Sequence, residues 1–467
     1  MRGRLLAATL AVGTAMSGLP AWAESLADSM VAAYRHSALL DQNRALLRAA
    51  DEDVAQAMAA LRPIVQWAAS HSFQRSDGIE VVATTLELTA QMMLYDWGRS
   101  QLAIDIAKEQ VLSTRESLIA VEQDVLLTAV QAFLDVRSAE QQVALNANSV
   151  ELLGRERQAA QDRFDVGEIT TTDVALADAQ LAATRASLAA AQGQLEIARE
   201  AYKAAVGRMP GKLDPPPPLP KRPKSLDSAQ LTGQKTHPAI RQAQRAVAAS
   251  ELGVAAAAAE RRPTITGQVG LGTTRTPSRT VFGTGDPETT TTLSAGISAR
   301  QTIYSGGRLP AVHRKAMAQR DASRSVLLNA SRQVAQAVGI AWANIDVARA
   351  QISAIDEQIS AAQQAYEGVR EEATLGARTT LDVLDAEQNL LEARADKIVA
   401  EANLQLAHYQ LLAAMGLLTV KDLKLGIPTY DPSAYYNAVR EAPYTSTQGQ
   451  NLDRVLRAIG KQQAPSR

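Results

Sequence analysis

The spacing with the most chemistry in it is Leu381-Asp382-Val383-Leu384-Asp385, where two carboxylates stand three positions apart on one face of a helix. Asp382 also has a structural use, because Thr379-x-x-Asp382 has the order of a capping box and a negative charge suits the positive start of a helix. Capping does not account for Asp385. A matching motif lies 209 positions earlier, Thr170-x-x-Asp173, and it has Leu176 where the later copy has Asp385. The second carboxylate therefore points to a role confined to the second copy. Other chemistry is missing from the pattern. The five histidines are scattered without metal-ligand spacing, and no G-x-S-x-G, H-E-x-x-H or P-loop is present. Gly270-x-Gly272 lacks a third glycine and sits in an alternating segment, so it is not a nucleotide site. With no cysteine, thiol catalysis, Cys-ligated zinc, iron–sulfur clusters and a lipidated N-terminal Cys are excluded. No enzyme, cofactor or metal site is expected.

The elements that must position these aspartates are laid out twice. Ser37 to Pro63 aligns without a gap on His237 to Pro263 at an offset of 200, with Leu40/Ile240, Gln42/Gln242 and Arg62/Arg262 in step. A second block aligns at an offset of 209. It pairs LYDWGR, ending at Gly98 and Arg99, with IYSGGR, ending at Gly307 and Arg308. It also pairs Val166 to Val174 with Leu375 to Val383, and Gly207 with Gly416. The nine-residue difference must lie between the prolines and the Gly-Arg motifs, in a loop that tolerates length variation. Residues 26–61 and 238–262 have helix-forming composition and stop at Pro63 and Pro263.

Period-two alternation follows. Leu86, Leu88, Ala90, Met92 and Leu94 share a face, as do Ile265, Gly267, Val269 and Leu271, and then Leu293, Ala295, Ile297, Ala299 and Ile303. Ser76-Asp77-Gly78 marks one hairpin turn, and Thr274 to Glu288 reads as a polar loop. Leu102–Arg163 and Leu309–Glu372 then read as helices of roughly 90 Å. Gly167 and Gly376 are left-handed stops at their tips. The return helices carry heptads: Val174, Leu181, Leu188, Leu195 and Tyr202, each followed by Ala or Thr three positions on, and a second series interrupted by Lys397.

The chain of 467 residues is 46% apolar and 21% charged, enough to bury a core, but only 4% aromatic. Packing through Leu and Ala supplies what aromatics usually supply. Arg2 and Arg4, an apolar run and Ala21-Trp22-Ala23 read as a secretory signal over 1–23; the alternative is a membrane anchor, for which the run is short. Its removal takes the net charge from −1 to −3, with no basic surplus for nucleic acid. Pro210 to Lys224 is an extended connector whose Lys221, Arg222 and Lys224 are solvated linker charges or a binding patch. Four strands of membrane-spanning length and alternation cannot close a barrel alone. They are part of a multi-chain barrel, or a small soluble sheet.

The duplicated helix–hairpin–helix–helix halves, LYDWGR and IYSGGR, VGEITTTDV and LGARTTLDVLDAEQNL, and AVG and AMG closing each half together resemble the TolC family of outer-membrane channels, over about Glu24 to Pro428. The resemblance implies a mainly α fold with a β-barrel part. Each chain of a homotrimer would give four strands to a twelve-stranded barrel in outer-membrane lipid, and a third of a periplasmic α-helical barrel. The implied organisation is a signal at 1–23, a first repeat at 24–207 with membrane strands about 64–95, and a Pro-rich equatorial linker at 208–236. A second repeat at 237–416 has membrane strands about 264–304, and a C-terminal segment at 417–467 ends in a mobile tail from Thr445. The implied function is a passive exit duct of a Gram-negative outer membrane, in type I secretion or multidrug efflux. Its partners would be a periplasmic adaptor and an ABC or proton-driven inner-membrane transporter. VGEITTTDV looks closer to the protein-secretion branch. Without a Cys at its start, the chain would be held by its barrel alone. By the same resemblance Asp382 and Asp385 line the periplasmic entrance, and Arg378 latches a neighbouring tip near Thr172 and Asp173. One departure bears on that latch: the family tyrosine three residues before the tip glycine is Ala373 here. Arg378 is otherwise an ordinary surface arginine. Tyr95, Trp97, Trp67 and Tyr304 near strand ends form an interfacial belt or simply pack. The competing function is a soluble periplasmic coiled-coil scaffold or adaptor, which should have one helical hairpin rather than two equal halves.

Overall fold

The computed structural model describes residues 24–76, 79–276, 279–280, 283–284, 287–439, 451 and 454–455. The expected signal, Asp77-Gly78 of the first hairpin turn, and the tail from Thr445 (apart from 451 and 454–455) lie outside the described residues. The chain begins with α1 (Leu26–His36) and α2 (Ala38–Ala59), separated at Ser37, whose hydroxyl accepts the amide of Leu40. Strands β1 (Ile64–Ser76) and β2 (Ile79–Tyr95) follow, then helices α3 (Arg99–Asp165) and α4 (Thr171–Val206). The order then repeats: α5 (Leu226–Thr236), α6 (Pro238–Ala259), β3 (Thr264–Thr276), β6 (Glu288–Arg300), α7 (Arg308–Thr374) and α8 (Thr380–Ala414). Between β3 and β6 stand the two-residue strands β4 (Arg279–Thr280) and β5 (Gly283–Thr284), and α9 (Pro432–Val439) comes last.

The offset of 200 holds from α1/α5 through the ends of β1 and β3, and the offset of 209 begins at the first residues of β2 and β6. The nine extra residues therefore lie wholly in the turn of the second hairpin. That turn is not an open loop from Thr274: β3 runs on to Thr276, and β4 pairs with β5. The alternation to Ile303 also overruns the strand. Pairing ends at Thr264↔Arg300, because the preceding Pro263 has no amide to extend the ladder.

The strands form one antiparallel sheet in the order β1-β2-β3-β6. Helices α3 and α7 each have 67 residues, about 100 Å at 1.5 Å per residue. The leucine and alanine heptads do pack: Ala177, Leu181, Thr184, Leu195, Ala198 and Tyr202 of α4 are buried. Lys397, which interrupts the second series, lies part-exposed with its ammonium 2.7 Å from Asp356.

Two compact units make up the chain, and they cut across the two halves. One comprises the described residues up to His36 with 128–220 and 347–406; the other comprises 37–127, 221–346 and 407 onward. In the first, Glu24 Oε1 accepts the Tyr202 hydroxyl and Arg208 Nη2, both at 2.6 Å. In the second, the linker arginine Arg222 is fastened rather than solvated. Its guanidinium stacks 3.4 Å from the centre of the Trp342 ring and bonds Asp346.

Candidate functional site

Both tips are built from the same local bonds. Gly167 and Gly376 have φ of 84° and 76°. At each, the next residue's amide reaches back to a carbonyl near the helix end: Glu168 N to Arg163 O and Ala377 N to Glu372 O, both 2.9 Å. The return helices then start in matched capping boxes. Thr170 N donates to Asp173 Oδ2 and Thr379 N to Asp382 Oδ2, each at 2.9 Å, and each aspartate amide donates back to the threonine hydroxyl. The backbone bond from Thr170 or Thr379, reinforced by its hydroxyl, holds each aspartate below the usual carboxylate range.

The two residues between the aspartates of α8 explain where those aspartates go. Val383 is buried with Tyr366, Ala373 and Leu390, and Leu384 with Leu153 and Leu181. With both inner positions committed to packing, Asp382 is left half-buried and Asp385 exposed.

Within the chain Arg378 does not reach Thr172 or Asp173. Its Nε donates to Glu372 Oε2 at 2.8 Å, while Asp173 is engaged by its own cap and Thr172 is exposed. At Ala373, where the family tyrosine is missing, the side chain is buried, and its carbonyl accepts Arg163 Nη2 at 3.4 Å. Arg163 was missed from sequence, although a signal was there: at the 209 offset it falls on Glu372, a reversal of charge. Arg163 pairs with Glu168, Glu372 with Arg378. Glu387 was also missed. It lies on the buried stripe between Val383 and Leu390 and is only 5% exposed.

The strand-to-helix turns explain why Gly98 and Gly307 stand where they do. Their φ values are 83° and 88°, and the residues before them, Trp97 and Gly306, are also left-handed at 59° and 60°. Trp97 thus holds a conformation its counterpart meets with glycine. Asp96 secures it, accepting the amides of Gly98 at 3.0 Å and Ser100 at 2.7 Å; Ser305 caps the second turn through Leu309 N. Arg99 and Arg308 are the first residues of α3 and α7, their amides bonded to the carbonyls of Asp96 and Ser305. Tyr95 and Trp97 meet edge to face at 4.8 Å.

The sheet has two unlike faces. The register places Val65 and Trp67 opposite Ala90 and Leu88, these opposite Val269 and Leu271, and those opposite Ala295 and Leu293, with Phe73, Leu86 and Ile297 on the same face. The opposite face carries Gln66, Ser70, Glu87, Thr89, Gln91, Thr266, Gln268, Ser294 and Ser298. The apolar face is uncovered in the single chain: Trp67, Leu293 and Ile297 are 73%, 74% and 75% exposed. Strands β1 and β6 each have one unpaired edge.

The family model for outer membrane efflux proteins matches the chain twice, over residues 31–208 and 234–417. The outer membrane efflux protein BepC of Brucella suis is 34% identical over 436 residues, covering 93% of this chain and 94% of that protein. The outer membrane protein TolC of Vibrio cholerae is 24% identical over 428 residues, 88% of this chain and 95% of that one. Among solved structures CusC, studied for transmembrane channel formation, superposes with a TM-score of 0.74 over 84% of this chain and 92% of its own, at 19% identity, a likeness of fold. With both halves matched, and BepC similar over nearly the whole length, the chain belongs to the outer membrane efflux protein family.

Proposed function

We propose that this chain is one third of a passive exit duct, a homotrimer whose twelve strands close a barrel in the outer membrane and whose helices enclose the periplasmic conduit. As a family member it is an outer-membrane protein of a Gram-negative bacterium, with a long helical part in the periplasm. The observation that carries the trimeric reading is the sheet. An apolar face that stays exposed, a polar face behind it, and two free edges are what a lipid-facing barrel segment needs and what a soluble sheet avoids. Strands of 13 to 17 residues are long enough to span. In this assignment the membrane strands are β1, β2, β3 and β6, the last ending at Arg300 rather than near 304, within a first repeat at 24–207 and a second that starts with α5 at Leu226 rather than at 237 and runs to 416. The Pro-rich linker, which stops at the Ser225 cap of α5 instead of running on to 236, and the segment after 416 form the equatorial region. Exposed Trp67, Tyr95 and Tyr304 belong to the interfacial aromatic belt.

Three copies of Asp382 and Asp385 form two carboxylate rings at the periplasmic entrance, which favour cations. Arg378 reaches a neighbouring tip at Thr172 and Asp173 when it leaves Glu372. The duct does no chemistry. It receives drugs or secreted polypeptides from a periplasmic adaptor and an ABC or proton-driven inner-membrane transporter. The name of BepC favours efflux, and VGEITTTDV the secretion branch. Purification tests the reading: a detergent-stable trimer that conducts ions in planar bilayers is expected. Recovery of the protein in the soluble periplasm would overturn it in favour of a scaffold or adaptor.

A further inference from the structure

Glu387 is a carboxylate in an apolar joint. Leu384 and Leu390, on the same helix α8, are packed on either side of it into the two buried clusters. From α3, Ser149 donates its hydroxyl to Glu387 Oε1 at 3.4 Å, a long bond. Among the described residues Oε2 has no hydrogen-bond partner, and neither has the buried hydroxyl of Tyr366 from α7. A buried polar atom left this way is costly when the group is ionised and much less so when it carries a proton.

The charged neighbours do not neutralise it. Glu156 of α3 faces it, and Arg370 of α7 is shared with Glu156, Nε to Oε1 at 3.5 Å. Helix α4 presents Leu181 to Leu384 and Gln180 to Gln388, while its Asp178 is turned to Arg157. With Arg370 close by and one free oxygen, a metal ion is poorly served; a proton needs only that oxygen. We propose that Glu387 is a proton-binding site in the packing of α8 on α3 and α7, through which external acidity tightens the stem of the second tip and alkalinity loosens it.

Burial pushes this carboxyl from 4.5 up to about 7; the Ser149 bond and Arg370 lower it only in part, and Glu156 adds to the rise. A folded value above the unfolded one means that the packed joint binds the proton more tightly than the opened joint. Its proton-linked stability is complete below pH 4.5 and is lost as pH rises through 7. Between pH 5.5 and 8 the opening equilibrium should rise about 30-fold.

Hydrogen exchange of the full-length protein in detergent, corrected for intrinsic rates, reads this directly in peptides around Ser149, Tyr366 and Glu387. Wild type should show the rise, and Glu387→Gln should hold the acidic level throughout. Glu156→Gln should keep the transition and move its midpoint to lower pH. A Glu387→Gln protein with the wild-type pH profile overturns the proposal. So does an unmoved midpoint in Glu156→Gln, which answers the question even if Glu387→Gln does not fold. The proton site stands on packing alone; any effect on passage rests on the duct reading and is read separately, as conductance against pH.

Discussion

The glycines that open and close the return helices share a backbone conformation and differ in what surrounds them. Gly167 and Gly376 lead into α4 and α8; Gly207 and Gly416 end them, with φ of 90° and 75°. A Cβ at either tip glycine would meet nothing within 4 Å. At Gly207 it would fall 2.3 Å from the His36 ring, and at Gly416 2.7 Å from His237 Cα. The closing glycines are thus wedged against another helix boundary, the end of α1 at His36 and the start of α6 at His237, while the tip glycines stand clear of neighbours, beside caps and exposed ion pairs. Such exposed, solvent-screened pairs contribute little to stability. In the proposed duct this difference would let the tips be the end that opens, because bonds so weak are ones a partner can trade.

The strongest way to break the comparison is alanine at both kinds of glycine. Gly416→Ala combines the left-handed strain with backbone that cannot turn aside, His237 N at 2.9 Å as well as its Cα. It should cost roughly 2–4 kcal/mol of stability. Gly376→Ala carries the strain alone, about 1 kcal/mol. Melting of the detergent-solubilised protein should rank them so; equal losses would mean that the tip is as tightly packed as the close.

Next comes the ion pair that differs in polarity between the tips. Arg378→Ser removes the partner of Glu372 and, in the duct, the proposed hold on the neighbouring tip. Conductance in planar bilayers should rise severalfold while the melting temperature barely moves. An unaltered closed state would leave Arg378 as a surface arginine.

The caps should behave alike, which sharpens the comparison from the other side. Thr170→Ala and Thr379→Ala should each release the first turn of the return helix by about 1 kcal/mol, seen as faster local exchange. The folded values of Asp173 and Asp382 lie below 3.8, so their contribution is present above that pH and lost as pH falls through the folded values. That is the opposite sign to Glu387, which shares helix α8 with Asp382.

Most of this scaffold was legible in the sequence because it rests on local chemistry. Thr170 with Asp173, Thr379 with Asp382 and the tip glycines need only neighbours a few residues away, so their spacing announced the bonds they make. The hairpins were legible through alternation, though Ile303 shows the limit: a strand ends where its partner ends, and Pro263 stands just before a different strand, β3. The nine-residue insertion could be bounded but not placed, since only the pairing of β1 with β2 and β3 with β6 shows where each turn begins. Glu387 escaped because a glutamate in a helix of mixed charge reads as solvated until the helices on either side of it are known. Arg222 escaped for the same reason, its ring and carboxylate partners lying more than a hundred residues away.

The smallest structural effect belongs to the residue that most separates the two tips. Asp385 is exposed, makes no cap, and stands where the first half has Leu176. Asp385→Asn keeps its size and removes only the charge, so stability should stay within about 0.5 kcal/mol of wild type. Passage should not be so indifferent. In a trimer the substitution deletes a whole ring of charge at once, and cation selectivity measured as reversal potential in a salt gradient should fall. Asp382→Asn should lower selectivity too, but it also breaks the capping box, so its effect mixes charge with geometry. Asp385→Asn separates them. Unchanged selectivity with unchanged melting would show that the extra carboxylate is mere surface, and that the two tips differ in sequence without differing in task.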